Sequence, residues 1–177
     1  MTNVLVVSDT HGKYFALEAV LERQSVLEKN HRPTHLIHLG DGVADIDGCA
    51  HTEKMCIHTV RGNCDNFFYA YSKGIEKEKL LDICGYKILI MHGDSYSVKS
   101  GDSKAIARAA ECGADILLYG HTHYATSFTV PSGTEVEGAV LEKDIKVMNP
   151  GSLGYDGYFG TITLSDNGIL LSHGCIK

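Results

Sequence analysis

Long apolar runs are missing from this sequence. No stretch approaches the roughly 18 apolar residues that a membrane-spanning helix requires, so we expect no membrane segment. The first predicted strand begins within a few residues of Met1, which leaves no room for a cleavable signal peptide before it. These two absences favour a cytoplasmic protein that has no membrane partner.

Paired cysteine motifs are also missing. No C-x-x-C pair occurs among the six cysteines, which are Cys49, Cys56, Cys64, Cys84, Cys112 and Cys175. In a chain without a secretion signal, such cysteines are expected to be reduced thiols. We expect most of them to fill the core as small apolar side chains.

Positive charge is in short supply. The chain has 16 Lys and Arg against 22 Asp and Glu, and its formal net charge is −6. Because no basic stripe is present, a nucleic-acid backbone is a disfavoured partner. An acidic enzyme can still accept an anionic substrate where bound metal cations supply positive charge locally.

The size of the chain suits one folding unit. A length of 177 residues, 44% of them hydrophobic, is enough for one well-buried core and short for two. No internal repeat, low-complexity segment or linker divides the sequence. We therefore expect a single domain over residues 1–177.

Strand and helix patterns alternate in the first half of the chain, and strands dominate the second half. Short apolar runs predict strands at residues 3–8, 35–39, 55–60, 80–84, 87–91, 116–119, 125–130, 145–148, 158–164 and 169–173. Two helices are predicted, one from Leu17 towards the stop at Pro33 and one from Asp102 or Ser103 to Cys112. Residues 67–79 are expected to form a surface excursion. The pattern favours an α/β domain with two β-sheets packed face to face and helices outside.

The most informative stretch is the apolar run at 116–119 together with the four residues after it. Beyond Gly120 stand His121 and His123, two residues apart, so that both side chains can share one face of an extended segment. Two imidazoles at a strand end suggest a metal site. Taken alone, the pair is equally well explained by two half-exposed loop histidines.

Four other predicted strands end in similar polar groups. The full set contains two carboxylates, one amide and four imidazoles: Asp9, His11, Asp41, Asn63, His92, His121 and His123. In layered α/β folds, ligand sites gather at the carboxyl ends of strands. The lack of thiolates argues against a structural zinc site of the cysteine type. The set is too large for one tetrahedral ion and suits two divalent ions that share a carboxylate.

These strand ends resemble the sequence blocks of a known family. The blocks D-x-H, G-D, G-N-x-[DE], H and G-H-x-H occur in order as 9–11, 40–41, 62–65, 92 and 120–123. The chain is therefore similar to the calcineurin-like metallophosphoesterases. The stretch His92–Gly101 and the loop Asn149-Pro150-Gly151-Ser152 resemble the small YfcE-type phosphodiesterase branch, which includes a eukaryotic retromer subunit of the same fold.

The resemblance implies a four-layer α-β-β-α sandwich and a role for each matched residue. Asp9, His11 and His123 would hold one divalent ion. Asn63, His92 and His121 would hold the other. Asp41 would bridge the two ions, and a hydroxide between them would attack the phosphorus in line. These ligand types suit Mn, Ni, Co, Fe or Zn and do not choose among them.

Two residues depart from the family pattern. Cys64 stands where many members have a histidine that can protonate the leaving group, and a thiol of ordinary pKa is a poor substitute. We therefore expect a preference for diesters or activated esters. Asp94 stands where many close relatives have histidine, and it lies outside the predicted ligand set. Asp65 is expected to orient its loop.

Other polar and aromatic residues have ordinary structural explanations. A strand or surface role is expected for the remaining histidines, namely His31, His35, His38, His51, His58 and His173. Two roles remain open for Arg61, a contact with a phosphate and a salt bridge at the strand end. Two roles also remain open for three tyrosines, lining a pocket or packing in the core or at the rim: Tyr96, Tyr124 and Tyr155.

The favoured function is a metal-dependent phosphodiesterase acting on a small phosphodiester. A phosphomonoesterase is an alternative that Cys64 disfavours, and a nuclease ranks lower because no nucleic-acid groove is indicated. A protein-interaction scaffold is an alternative of another class, and it predicts that ligands are lost, whereas every ligand position here is filled. The oligomeric state is open, with a homo-oligomer as one option.

Overall fold

Two five-stranded β-sheets form the centre of the molecule, which is described by a computed structural model of residues 1–177. The strands are β1 Thr2–Val7, β2 His35–His38, β3 Cys56–Thr59, β4 Glu78–Ile83, β5 Tyr86–Met91, β6 Ile116–Leu118, β7 Thr126–Val130, β8 Glu135–Val136, β9 Ala139–Val140, β10 Ile145–Asn149, β11 Tyr158–Ser165 and β12 Gly168–Cys175. The helices are α1 Tyr14–Ser25, α2 Phe67–Ser72, α3 Ser103–Glu111 and α4 Leu153–Asp156.

Both sheets are mixed, and each contains three adjacent parallel strands. The first has the order β12-β11-β1-β2-β3, in which β1, β2 and β3 are parallel and β11 and β12 are antiparallel additions. The second has the order β4-β5-β6-β10-β7, in which β5, β6 and β10 are parallel. Strands β8 and β9 form a separate small hairpin. Because these strands are parallel, several strand carboxyl ends lie at the same end of each sheet.

Alternating apolar side chains explain the layers. On β1, Val4 and Val6 face a core between the two sheets, which also contains Ile37, Ile90 and Leu118. The side chains of alternate residues point to opposite faces of a strand. The other face of β1 therefore packs under α1, and α3 covers the outer face of the second sheet. This α-β-β-α arrangement confirms the predicted fold class.

Three predictions about local structure need correction. Helix α1 ends at Ser25 instead of continuing towards Pro33, because the chain turns after Val26 and leaves Leu27 partly exposed. The excursion at 67–79 contains α2, which Asn66 caps by accepting a hydrogen bond from the Tyr69 N–H at 3.1 Å. None of the six cysteines is fully buried, although all are free thiols, so the expectation of core packing was wrong.

The helices all lie within the globular layers. No helix has both the length and the apolar character needed to traverse a bilayer.

A histidine pair joins β2 to β3. His35 Nδ1 lies 3.1 Å from His58 Nε2, and the two ring planes differ by only 13°. The register places His58 beside Ile37, so that His35 and His58 are diagonal neighbours on one face of the sheet. Burial lowers the pKa of His35. Burial, together with the nearby His35 and Lys79, lowers the pKa of His58.

This pair predicts a pH dependence of stability. A histidine whose pKa is lower in the folded state binds fewer protons there than in the unfolded chain, so stability falls as the pH drops through the ordinary histidine range. The free energy of unfolding of the wild type, measured with urea and a chelator, should fall more between about pH 7 and about pH 5 than that of the double variant His35→Gln/His58→Gln. The exposed His31→Gln serves as the control. Equal pH slopes for the wild type and the double variant would refute this role.

Candidate metal centre

The seven predicted ligands all follow strands whose carboxyl ends meet at one edge of the two sheets. Asp9 and His11 follow β1, Asp41 follows β2, and Asn63 follows β3. In the second sheet, His92 follows β5, and the two histidines of the G-H-x-H block follow β6. The strand ends are thus placed as the sequence predicts.

Two groups of three side chains converge at this edge. The ligand atoms of Asp9, His11 and His123 lie within 4.8 Å of one another, and so do those of Asp41, His92 and His121. These two groups are here called the first cluster and the second cluster.

Short distances define both clusters. In the first, Asp9 Oδ1 lies 3.1 Å from His123 Nε2 and 3.7 Å from His11 Nε2. In the second, His92 Nε2 lies 3.3 Å from Asp41 Oδ2 and 3.1 Å from His121 Nδ1. The clusters adjoin, because His11 and Asp41 also share a 4.8 Å group with Cys64.

Asn63 is less tightly placed than the other six. Its side chain is exposed, and Nδ2 donates a hydrogen bond to Cys64 Sγ at 3.2 Å. Backbone contacts nevertheless hold its loop against Asp41, since the Cys64 N–H donates to Asp41 Oδ1 at 2.7 Å.

The donors present fit divalent metal ions. Asp9 is fully buried, yet its Oδ1 has no hydrogen-bond partner, and neither has the buried Nε2 of His11. A buried carboxylate oxygen is costly unless a hydrogen bond or a charge compensates it. A cation between these atoms satisfies both, and mixed carboxylate and imidazole donors suit divalent transition metals.

The ligand backbones are strained. Asp9, His11, Asp41, His121 and His123 all have positive φ angles, between 49° and 66°. Non-glycine residues rarely adopt this left-handed conformation, which costs on the order of 1–3 kcal/mol each and persists only where the surroundings impose it. Five such residues at one edge indicate that the loops are built to aim these side chains.

Gly62 lets two of these loops touch. A Cβ atom at this position would overlap Asp41 Oδ1 and would lie 2.6 Å from the Asp41 backbone nitrogen. Only a residue without a side chain permits this approach.

Asp65 clamps the same two loops together. Its carboxylate accepts hydrogen bonds from the backbone N–H groups of Asp41, Gly42, Val43 and Gly62 at 2.7 to 3.0 Å. The prediction that Asp65 orients its loop is confirmed.

Residues that the motifs do not single out support the first cluster. Thr10 Oγ1 donates to Asp45 Oδ2 at 2.5 Å and lies 3.1 Å from Nε2 of His38, which is fully buried. The Gly12 N–H also donates to Asp45. The sequence predicts an ordinary strand or surface role for His38 and does not single out Asp45, because nothing local marks their contacts with residue 10.

The Asn149–Ser152 loop connects the first cluster to the double histidine. Ser152 Oγ donates to the Asp9 carbonyl at 3.0 Å, and Asn149 Nδ2 donates to the Gly120 carbonyl at 2.8 Å. From α4, Tyr155 packs its ring against His11 and His123, with centroids 5.2 and 5.4 Å away. Tyr155 therefore lies at the rim of the site.

Electrostatics favour the metal-binding forms of Asp41 and His121, whereas at His92 the carboxylates of Asp41 and Asp9 outweigh burial and raise the pKa. Burial alone would raise the pKa of Asp41, but hydrogen bonds from His92 and Cys64 outweigh it and hold that pKa well below its ordinary value. Burial and the neighbouring His92 and Lys99 lower the pKa of His121. At neutral pH an ionised carboxylate and a neutral imidazole are therefore favoured, and these are the forms that coordinate metals.

Asp94 pairs with a lysine and contributes to neither cluster. It accepts a hydrogen bond from Lys77 Nζ at 3.0 Å and belongs to neither cluster. This departure from the family pattern therefore forms an ion pair at the rim.

Gly62→Ala should weaken metal binding at least about tenfold, because the new methyl group displaces Asp41. Gly48→Ala is the matched control, since its nearest contact is the Tyr14 ring at 3.3 Å. Titration calorimetry with Mn²⁺ and Zn²⁺ measures the effect, and circular dichroism checks folding. Asp65→Asn provides a second test of the same loop contact. Wild-type affinity in both variants would show that the contact does not position Asp41.

Comparison with known proteins gives the same family by sequence. The family model for the calcineurin-like phosphoesterase superfamily domain matches residues 2–167. The chain is 30% identical over 151 residues to the probable metallophosphoesterase YsnB of Bacillus subtilis, across 85% of this chain and 75% of that protein.

Solved structures share the fold. A conserved Streptococcus pneumoniae protein, a predicted phosphoesterase, superposes with a TM-score of 0.72 at 22% identity, covering 98% of this chain and 89% of that one. An archaeal phosphodiesterase has a TM-score of 0.66 at 19% identity, and the alignment covers 98% of this chain and 100% of that one. The zinc complex of Vps29 from Entamoeba histolytica has a TM-score of 0.60 at 18% identity, and the alignment covers 99% of this chain and 100% of that one. With the family model matched over most of its length, this chain belongs to the calcineurin-like phosphoesterase superfamily.

Proposed function

We propose that this protein is a metal-dependent phosphodiesterase that holds two divalent ions and hydrolyses small phosphodiesters. One observation carries the proposal: two adjoining clusters of carboxylate and imidazole donors include a fully buried carboxylate oxygen that has no hydrogen-bond partner.

Each ion has its own set of ligands in this proposal. The first cluster, Asp9, His11 and His123, would hold one ion. His92 and His121 would hold the other together with Asn63. Asp41 would be shared by both sites, which is supported by its place both in the second cluster and beside His11. The donors suit Mn, Ni, Co, Fe or Zn.

In this chemistry the protein's own residues orient the metal-binding side chains and supply their negative charge. When bound, divalent ions supply neutralisation of the phosphoryl oxygens and activation of a water for in-line attack. Asp9 is oriented by Ser8 Oγ at 2.5 Å and by the His121 N–H at 3.1 Å, both of which donate to Oδ2. Its Oδ1 is thereby left free for an ion.

Cys64 favours diesters over monoesters with poor leaving groups. Burial, reinforced by the Asp41 carboxylate, raises the pKa of Cys64 to about 11. A group with so high a pKa is an inefficient general acid near neutral pH, where the best catalytic pKa lies close to the working pH. The fold shared with an archaeal phosphodiesterase is consistent with this choice.

A scaffold role is the second candidate, because Vps29 shares the fold. The complete donor set weighs against a scaffold without catalysis, since such a protein needs no buried, unpaired carboxylate. For the compartment we propose the cytoplasm, in keeping with six free thiols.

Metal removal should abolish the hydrolysis of bis(p-nitrophenyl) phosphate, and added Mn²⁺ should restore it. Asp41→Asn and His92→Ala should each lower kcat/KM at least about 100-fold, because they remove metal ligands. The exposed residues Asp166 and His31 supply the matched controls Asp166→Asn and His31→Ala. Absence of turnover in a metal-loaded protein would overturn the enzyme proposal and favour the scaffold.

Cys64→His should raise the ratio of phenyl phosphate to diester hydrolysis at least about tenfold, because a general acid assists a poor leaving group. Cys64→Ser keeps the size of the side chain without an effective acid and should leave the ratio low. Steady-state rates at neutral pH measure both. An unchanged ratio in the histidine variant would show that leaving-group protonation does not limit the monoester reaction.

A further inference from the structure

Helix α2 exposes three aromatic side chains. Phe67, Phe68 and Tyr71 are 55%, 79% and 77% exposed, and none belongs to a core cluster. The Phe67 and Tyr71 ring planes differ by 20°, with centroids 6.0 Å apart, and Phe68 packs edge-on against Phe67 at 5.8 Å. These three residues are here called the aromatic face. Contiguous exposed apolar surface of this kind is typical of a binding site.

Two contacts tie helix α2 to the segments around the metal centre. Helix α2 begins two residues after Asp65, whose carboxylate accepts a hydrogen bond from the Asp41 backbone N–H at 2.8 Å. From the same helix, Tyr69 Oη donates to Asp47 Oδ2 at 2.7 Å. Asp47 lies on the short 3₁₀ helix Val43–Gly48, which follows Asp41 in the chain. Anchored in this way, helix α2 is held beside the segment that begins at Asp41.

Arg61 connects the face to the centre. Its guanidinium carbon lies 5.2 Å from the Phe67 ring centroid, and no carboxylate lies within ion-pair distance of it. The alternative of a salt-bridged Arg61 is therefore wrong. Arg61 directly precedes Gly62, which touches Asp41. A guanidinium held by stacking keeps its N–H donors free for an anion such as phosphate.

We propose that the aromatic face and Arg61 form a subsite for a planar aromatic ester group on a substrate whose phosphate lies at the metal centre. The proposal rests on the function proposed above and names its substrate class: phosphoesters that carry a nucleobase or another aryl group. Stacked rings favour planar ligands because every such ligand offers a π-face. Arg61 contributes positive charge on the phosphate side, in a chain whose net charge is −6.

Direct binding to the metal-loaded protein tests the subsite independently of turnover. Titration calorimetry compares methyl phosphate, phenyl phosphate and adenosine 5′-monophosphate, which share a phosphate and differ in the ester group. The two aromatic ligands should bind at least about tenfold more tightly than methyl phosphate, equivalent to about 1.4 kcal/mol. Similar affinity for both assigns the subsite to aryl groups in general, and tighter adenosine binding assigns it to nucleobases.

Substitutions then test which residues cause the preference for aromatic ligands. Phe67→Ala and Tyr71→Ala should reduce the aromatic preference to about twofold or less. Arg61→Gln should weaken all three ligands. Phe128→Ala removes an aromatic side chain from β7, and it should leave the preference at the wild-type value. Circular dichroism confirms that the exposed positions tolerate the changes.

The possible failures are distinguishable. Equal binding of methyl and phenyl phosphate, or a preference that survives both aromatic substitutions, overturns the subsite. A dimer in sedimentation that Phe67→Ala and Tyr71→Ala dissociate would assign the face to a second copy of the chain and also overturn it. An aromatic preference in a protein without diester turnover would leave the subsite standing while the proposed enzymatic function fails.

Discussion

A fully buried carboxylate, Asp9, is the constraint on which the functional edge of the molecule depends. Its side chain accepts from Ser8 and from the backbone of His121, while its carbonyl accepts from Ser152 Oγ and from the Gly154 N–H. Contacts from three separate strand ends therefore converge on one residue. The remaining oxygen has no hydrogen-bond partner and lies 3.1 Å from His123 Nε2 and 3.7 Å from His11 Nε2, so a cation between these groups would compensate its charge.

The sequence predicts much of this edge because the signals are local. Each ligand stands directly after a short apolar strand, and a strand end can be recognised from a few residues. Contacts set by register could not be predicted in this way. His35 meets His58 only because β2 and β3 pair in one particular alignment. Asp45 reaches Thr10 across more than thirty residues, and no spacing rule signals it.

The prediction for the cysteines failed for a related reason. Composition predicts that a small thiol is buried, but exposure depends on which strands lie at a sheet edge and which residues fall in turns. Cys56 lies on the edge strand β3, and Cys84 lies in the tight turn between β4 and β5. Helix α2 was not predicted because its six residues are too few to show a repeating amphipathic pattern. In the folded chain it is stabilised by the Asn66 cap and by the hydrogen bond from Tyr69 to Asp47.

The position of β1 in its sheet has a consequence for biosynthesis. Strand β1 lies between β2 and β11, and its first residue, Thr2, pairs with Leu164. As the chain leaves the ribosome, β1 can gain one neighbour early, but its other edge stays unpaired until nearly the whole polypeptide has emerged. Such distant pairing slows folding. The strand that delivers Asp9 therefore gains its second neighbour late in synthesis, and a nascent chain truncated before β11 leaves one edge of β1 unpaired.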